Sequence, residues 1–251
     1  GVAESGDIVV CTNEGNADMS TSMPKLHLVA MGIEKIVPDY KSLAVFQRLL
    51  CRSATGQPTT AYTSHFRQAR PGAEMHVILV DNGRSDILAD SEHWETLKCI
   101  RCGSCMNTCP VYRRSGGYSY TYFIPGPIGV NLGMLRNASR YSDNVSACTL
   151  CLSCDNVCPS KVGPGSQIYL WRQKLDSLHR ADPMKKFMSI GMEALFEHPH
   201  LYAAALRLAP LANIVPDKLT RVREVNPWSV GHTKPEFAKE SFQEMWKKGK
   251  V

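Results

Sequence analysis

Eight of the chain's 10 cysteines fall into two copies of one pattern. The first reads Cys99-x-x-Cys102-x-x-Cys105-x-x-x-Cys109-Pro110 and the second Cys148-x-x-Cys151-x-x-Cys154-x-x-x-Cys158-Pro159. Three thiolates at steps of three follow a tight, curling loop and cap three corners of one cubane iron–sulfur cluster. The fourth cysteine opens the next segment, too far round to close the same cube, and where two clusters share a chain it ligates the other one. The spacing therefore predicts one [4Fe–4S] centre on Cys99, Cys102, Cys105 and Cys158, and a second on Cys148, Cys151, Cys154 and Cys109. Crossed ligation of this kind holds two cubes at a fixed separation, and the chemistry it implies is the movement of single electrons.

Two other uses of these cysteines fit less well. Structural zinc takes two CxxC knuckles per tetrahedral ion, which leaves the middle cysteine of each triplet surplus. A disulfide framework belongs to small secreted chains, and nothing here reads as a secretory signal. Cys11 and Cys51 stand apart, each among apolar residues, and read as buried inert thiols. The formal charge of +6 counts cysteines as neutral; a cube with four thiolates carries about −2, so two of them bring the chain to roughly +2. That removes any case for nucleic acid. Free thiolates awaiting clusters imply a reducing compartment, most simply the cytoplasm. The longest apolar stretch, residues 201–215, is broken by Arg207 and Pro210 and is too short to span a bilayer, though peripheral contact through partners is compatible with it.

With 251 residues, 43% of them hydrophobic, the chain has material for one large or two modest domains. Residues 1–90 read as α/β: β-rich runs at 7–12, 25–31, 59–66 and 75–80, a helix over 42–52, and a turn at Asp81-Asn82-Gly83. Strands alternating with a helix predict a parallel or mixed sheet, here about half of one, with an open edge. The start, Gly1-Val2-Ala3-Glu4-Ser5-Gly6-Asp7, leads straight into a strand and reads as the middle of a domain. Ser85 or Asp86 is expected to cap a helix to about Thr96. The stretch between the cysteine runs, with Pro125-Gly126-Pro127-Ile128-Gly129 and a short helix over 130–141, is long for a compact ferredoxin and fits an α-helical one. Beyond Pro159 the chain is helical. Ile168, Trp171, Leu175 and Leu178 form one stripe. Asp182-Pro183 reads as a cap, and Met184, Phe187, Met188, Met192 and Leu195 form a second stripe expected to pack into a core. The tail, with Phe237, Phe242 and Trp246, ends in lysines that complement a helix dipole.

Several stretches carry a family likeness. Residues 12–19 (TNEGNADM), Pro24-Lys25-Leu26-His27, residues 31–38 (MGIEKIVP), residues 53–58 (SATGQP), residues 80–84 (VDNGR) and residues 97–103 (LKCIRCG) resemble lactate utilisation protein B. So do Cys109-Pro110-Val111-Tyr112-Arg113, the Pro125–Gly129 block and the second cysteine run. The resemblance runs through essentially the whole chain and implies an α+β protein. A partial LUD domain, related in fold to the NagB, RpiA and CoA-transferase group, would occupy residues 1–90. An α-helical ferredoxin domain with two [4Fe–4S] clusters would occupy 91–180, and a helical extension 181–251. It also implies an iron–sulfur subunit of a system oxidising L-lactate to pyruvate. The implied partners are a cysteine-rich subunit resembling heterodisulfide reductase, a second LUD protein, and a chain supplying the upstream half of the LUD domain, which family members carry before Gly1.

No catalytic constellation stands in the sequence. Glu14, in the Asn13-Glu14-Gly15-Asn16 turn, loosely resembles the strand-end glutamate of CoA-transferases, with Glu34-Lys35 at another strand end; the alternative is a polar turn in which Gly15 supplies a positive φ. Ile100, Met106, Val111, Leu150, Leu152 and Val157 are expected to keep water off the cubes, Gly103 to let backbone approach the sulfurs, and Lys98 and Arg101 either to favour the reduced state or to sit solvated. Arg113-Arg114 reads as a solvated pair or as a contact for an acidic partner. Two further functions stay open beside lactate oxidation: a relay for another 2-hydroxy acid or heterodisulfide-reductase-like complex, and a LUD-domain ligand-binding enzyme with accessory clusters.

Overall fold

Four short strands form two separate ladders rather than one sheet. β1 (Ile8–Thr12) pairs antiparallel with β3 (Tyr62–Phe66), and β2 (Leu26–Gly32) pairs parallel with β4 (Glu74–Val80), Leu26 opposite Glu74. The computed structural model describes residues 1–177, 183–216, 232 and 235–250. The chain divides into two units, Gly1–His179 and Arg180–Val251. Parallel strands are normally covered on both faces, yet Leu26, Leu28, Ile78 and Leu79 are exposed.

α1 (Asn16–Ser22) follows β1, and α2 (Tyr40–Thr55) joins the ladders. The Asp39 carboxylate accepts from the Ser42 amide at 2.7 Å to start α2, and Gly56, at φ 76°, ends it. Cys51 is buried on α2, its thiol donating to the Gln47 carbonyl at 2.9 Å.

Asp7 locks α2 to the β1–β3 ladder. Its buried carboxylate accepts from Arg67 Nε at 2.7 Å and from the Tyr40 hydroxyl, with His65 Nδ1 at 3.5 Å. The Arg67 hydrogen bond, aided by Tyr40, holds the carboxyl down to about 2. A carboxyl depressed in the folded state stabilises it above the unfolded value of about 3.9, and that stabilisation fades as pH falls toward the folded one. Asp7→Asn should therefore lower the urea midpoint at pH 7. The gap between variant and wild type should close as pH drops from 4 toward 2; a gap independent of pH would contradict the charge's role.

The remainder of the first unit is helical. α3 (Arg84–Ala89) stops far short of Thr96, because the Asp90 carboxylate accepts from the Glu92 and His93 amides at 2.9 and 3.2 Å and turns the chain into a 3-10 segment, Trp94–Lys98. Gly83 (φ 82°), rather than Ser85 or Asp86, holds the cap position of α3, and the Asp81 carboxylate accepts from the Ser85 amide at 2.8 Å. Then come α4 (Ser104–Thr108), α5 (Pro110–Ser115), α6 (Gly126–Ala147), α7 (Ser153–Asn156) and α8 (Pro164–Ser177). α6 is longer than the sequence pattern indicates. It begins inside the Pro-Gly-Pro block, where proline suits a first turn, and it kinks at Asn137 (φ −162°), whose side chain accepts from the Arg140 amide at 3.1 Å and restarts the helix.

α6 and α8 make the core. Val130, Met134, Tyr141 and Val145 pack against Ile168 and Trp171, with Tyr120 closing one side. Asn131 Nδ2 donates to the Pro127 and Pro164 carbonyls at 3.0 and 2.9 Å, tying the starts of both helices. His93, fully buried, stacks on Trp171 with ring centroids 3.9 Å apart. Leu178, the end of the predicted stripe, lies outside the described residues, as does the Asp182 cap.

In the second unit α9 (Pro183–Glu197) precedes α10 (Pro199–Leu208), and α11 (Phe242–Lys247) carries a capping box of Ser241 and Glu244. The methionine stripe of α9 is not a core: Met184, Phe187, Met188 and Met192 are exposed, Phe187 by 75%. A unit with so few described helices cannot enclose every apolar face. The tail lysines also do more than face a dipole, since Lys248 and Lys250 pair with Glu240 at 3.0 and 2.8 Å.

Candidate metal centre

The two cysteine loops share one backbone geometry. Arg101 (φ 63°) and Gly103 (φ 81°) flank Cys102, and Leu150 (φ 52°) and Leu152 (φ 56°) flank Cys151. Left-handed residues on both sides of the middle cysteine curl each loop in the same way, a conformation costly to Leu and Arg and free to Gly. Amides point at sulfur: Leu150 N–H donates to Cys148 Sγ at 3.4 Å, Tyr112 N–H to Cys109 Sγ at 3.5 Å and Val162 N–H to Cys158 Sγ at 3.3 Å. A hydroxyl–hydroxyl bond between Thr108 and Ser153 joins the loops where α4 meets α7.

Cys99, Cys102, Cys105 and Cys158 line one cavity of about 340 Å³, three from the first run and the last from the second. Ile100, Met106, Ile128 and Val162 complete its apolar wall. Cys109 and Cys148 line a second cavity of about 210 Å³ with Tyr120 and Ile168, and Cys148 lies within electrostatic reach of Cys109 and Cys151. Cys154 is buried, and its side chain lies within electrostatic reach of both Cys148 and Cys105. Cys151 alone of the eight is exposed.

Burial pushes the Cys105 thiol up to about 11, and pushes those of Cys99, Cys148 and Cys154 upward as well. Thiols so placed ionise when a positive centre lies among them, which a ferric–ferrous cluster supplies. Among the described residues no three His, Cys, Asp or Glu side chains close on a point as one ion requires. Four cysteines round an apolar cavity suit a body of several atoms instead, and the donor set, all sulfur with amides turned toward it, is that of an iron–sulfur cluster.

Neighbouring residues divide. Met106 and Val111 line the cavities as expected, but Leu152 and Val157 are exposed and shield little. Lys98 is engaged by Glu95 at 2.8 Å and lies over the Trp94 ring, while Arg101 is exposed. Arg113 and Arg114 are solvated at the end of α5. Gly15 has φ −74°, so the turn needs no positive φ there. Glu14 is exposed and lines neither cavity that Glu34 and Lys35 do. Sequence reasoning missed the braces from the α/β half: Lys35 Nζ donates to the Cys99 carbonyl at 2.6 Å and Ser104 Oγ to the Ser53 carbonyl at 2.6 Å. These contacts are remote in sequence and carry no local signal.

Residues 1–87 match the LUD domain family and residues 95–162 the 4Fe-4S dicluster domain. The chain is thus a LUD-domain protein joined to an iron–sulfur dicluster domain. It is 36% identical over 258 residues to lactate utilization protein B 1 of Bacillus mycoides (strain KBAB4), covering 98% of the chain and 53% of that protein. Lactate utilization protein B of Shouchella clausii (strain KSM-K16) is 38% identical over 216 residues, 83% of the chain and 45% of its own length. Uncharacterized electron transport protein YkgF of Escherichia coli (strain K12) is 36% identical over 259 residues, 98% of the chain and 54% of its own length. These relatives share the LUD and dicluster regions with the chain, which spans about half the length of the curated relatives it matches. No solved structure matches it. Among the described residues no helix is long and apolar enough to cross a membrane.

Proposed function

We propose that this chain relays single electrons through two [4Fe–4S] clusters, as the iron–sulfur part of a cytoplasmic multi-subunit system that oxidises L-lactate to pyruvate. The observation that carries the reading is the crossing of the runs: Cys158 joins Cys99, Cys102 and Cys105 round one cavity, while Cys109 lies beside Cys148. The first group would hold one cluster, and Cys148, Cys151, Cys154 and Cys109 the other. Each cluster, when bound, supplies a site that takes up and releases one electron without a proton. The chain's own residues fix the sulfurs, direct amides at them and exclude water from the first group, while exposed Cys151 offers the second group to a partner.

The proposed partners rest on the family resemblance, and one surface is compatible with the first of them. The uncovered β2–β4 ladder, with Leu26, Leu28 and Ile78 exposed, fits the upstream half of a LUD domain of the NagB and CoA-transferase type. A cysteine-rich subunit resembling heterodisulfide reductase and a second LUD protein complete the proposed assembly. Anaerobic purification of the tagged protein from its host should recover such a cysteine-rich chain, and L-lactate should reduce the clusters of the recovered complex. Reduction by another 2-hydroxy acid but not by L-lactate would overturn the assignment of substrate.

A further inference from the structure

A cavity of about 630 Å³ opens where β2 and β4 end, bounded by the Glu34-Lys35 and Asn82–Arg84 segments on one side and by Cys99, Arg101, Tyr122 and Arg136 on the other. The carboxyl ends of parallel strands are where α/β sheets hold ligands, and the volume is that of a small-molecule site. The wall contains four cations, Lys35, Arg84, Arg101 and Arg136, against three carboxylates, Glu34, Asp86 and Asp90. Arg84 and Lys35 both pair with Glu34. Arg101 and Arg136 have no carboxylate partner among the described residues. Half-buried Tyr122 lines the same cavity as Arg84, Arg101 and Arg136, so three guanidiniums and one phenol hydroxyl share its wall.

We propose that this cavity binds an organic monocarboxylate, its head between Arg101, Arg136 and the Tyr122 hydroxyl and its body against Leu132 and Leu135. Guanidinium forks match planar carboxylates, and one net positive charge suits a monoanion better than a phosphate dianion. The usual phosphate seat is also taken: the Asp81 carboxylate already accepts from the Ser85 amide at the start of α3, at 2.8 Å. The site shares Cys99 with the first cysteine group, so a bound acid would lie along the wall of the proposed relay. The proposal goes beyond the relay, and its binding test is independent of what substrate the relay serves.

The test is calorimetric titration of the iron-loaded protein with acetate, pyruvate, benzoate and inorganic phosphate, in wild type, Arg136→Ala and Arg140→Ala. Arg136 is exposed, so its loss spares the core, and Arg140 lies outside the cavity over the Tyr141 ring. At least one carboxylate should saturate the wild type, bind about ten-fold more weakly to Arg136→Ala and bind unchanged to Arg140→Ala, since a hydrogen bond to a charged group is of that size. Iron content measured on the same samples separates failure of this site from failure of the clusters. Absence of saturable carboxylate binding, equal binding by Arg136→Ala and wild type, or phosphate binding as tightly as the carboxylates, would each overturn it.

Discussion

Cys158→Ser is expected to lose the cluster of the first cysteine run, with iron falling from about eight to about four atoms per chain. Its residual spectrum should match that of Cys99→Ser and differ from that of Cys148→Ser. The expectation follows from the crossing. Cys158 is the last cysteine of the second run, yet it lines the same cavity as Cys99, Cys102 and Cys105 of the first. Serine keeps the shape and removes the thiolate, and a cube short of one soft ligand is labile. Cys109→Ser should produce the reciprocal loss, because Cys109 stands beside Cys148. If Cys158→Ser and Cys148→Ser abolished the same signal, ligation would lie within each run and the crossed arrangement would be wrong.

Gly129→Ala is expected to cost about 3 kcal/mol and to lower cluster occupancy with it. A Cβ at Gly129 would fall on the Ile124 carbonyl, which is backbone and cannot swing aside. Gly129 sits in the first turn of α6, next to Ile128 of the first cavity and Val130 of the core, so any shift there moves both. Gly191→Ala provides the contrast. That glycine lies within α9 with nothing near its missing Cβ, and alanine should stabilise the helix by about 0.5–1 kcal/mol. Urea denaturation of both variants checks the pair, and a neutral Gly129→Ala would mean that α6 does not pack as described.

What could be read from the residues was local and chemical. The doubled cysteine spacing marked the candidate donor groups, because a tight loop leaves its sulfurs little choice of direction. The strands and α2 could be read from apolar runs, helical spacing and the Asp81-Asn82-Gly83 turn. The division into two ladders could not, since pairing depends on partners far along the chain. The extent of α6 was hidden by its Pro-Gly-Pro start and by Asn137, residues that usually end helices and here begin or restart one. The α9 methionines show a further limit: helical spacing marks an apolar face without saying what covers it. Lys35 reaching Cys99 and the arginines that share a cavity with Tyr122 come from separate segments, and only the fold brings them together.

The proposed relay requires paired cubane cofactors held by these eight cysteines. The most direct measurement is iron, sulfide and zinc analysis of anaerobically reconstituted protein, with Mössbauer spectra of the same sample. About eight irons and about eight sulfides per chain, in spectra of cubane centres, are predicted. Tetrahedral zinc in place of iron, or about four irons after full reconstitution, would contradict it.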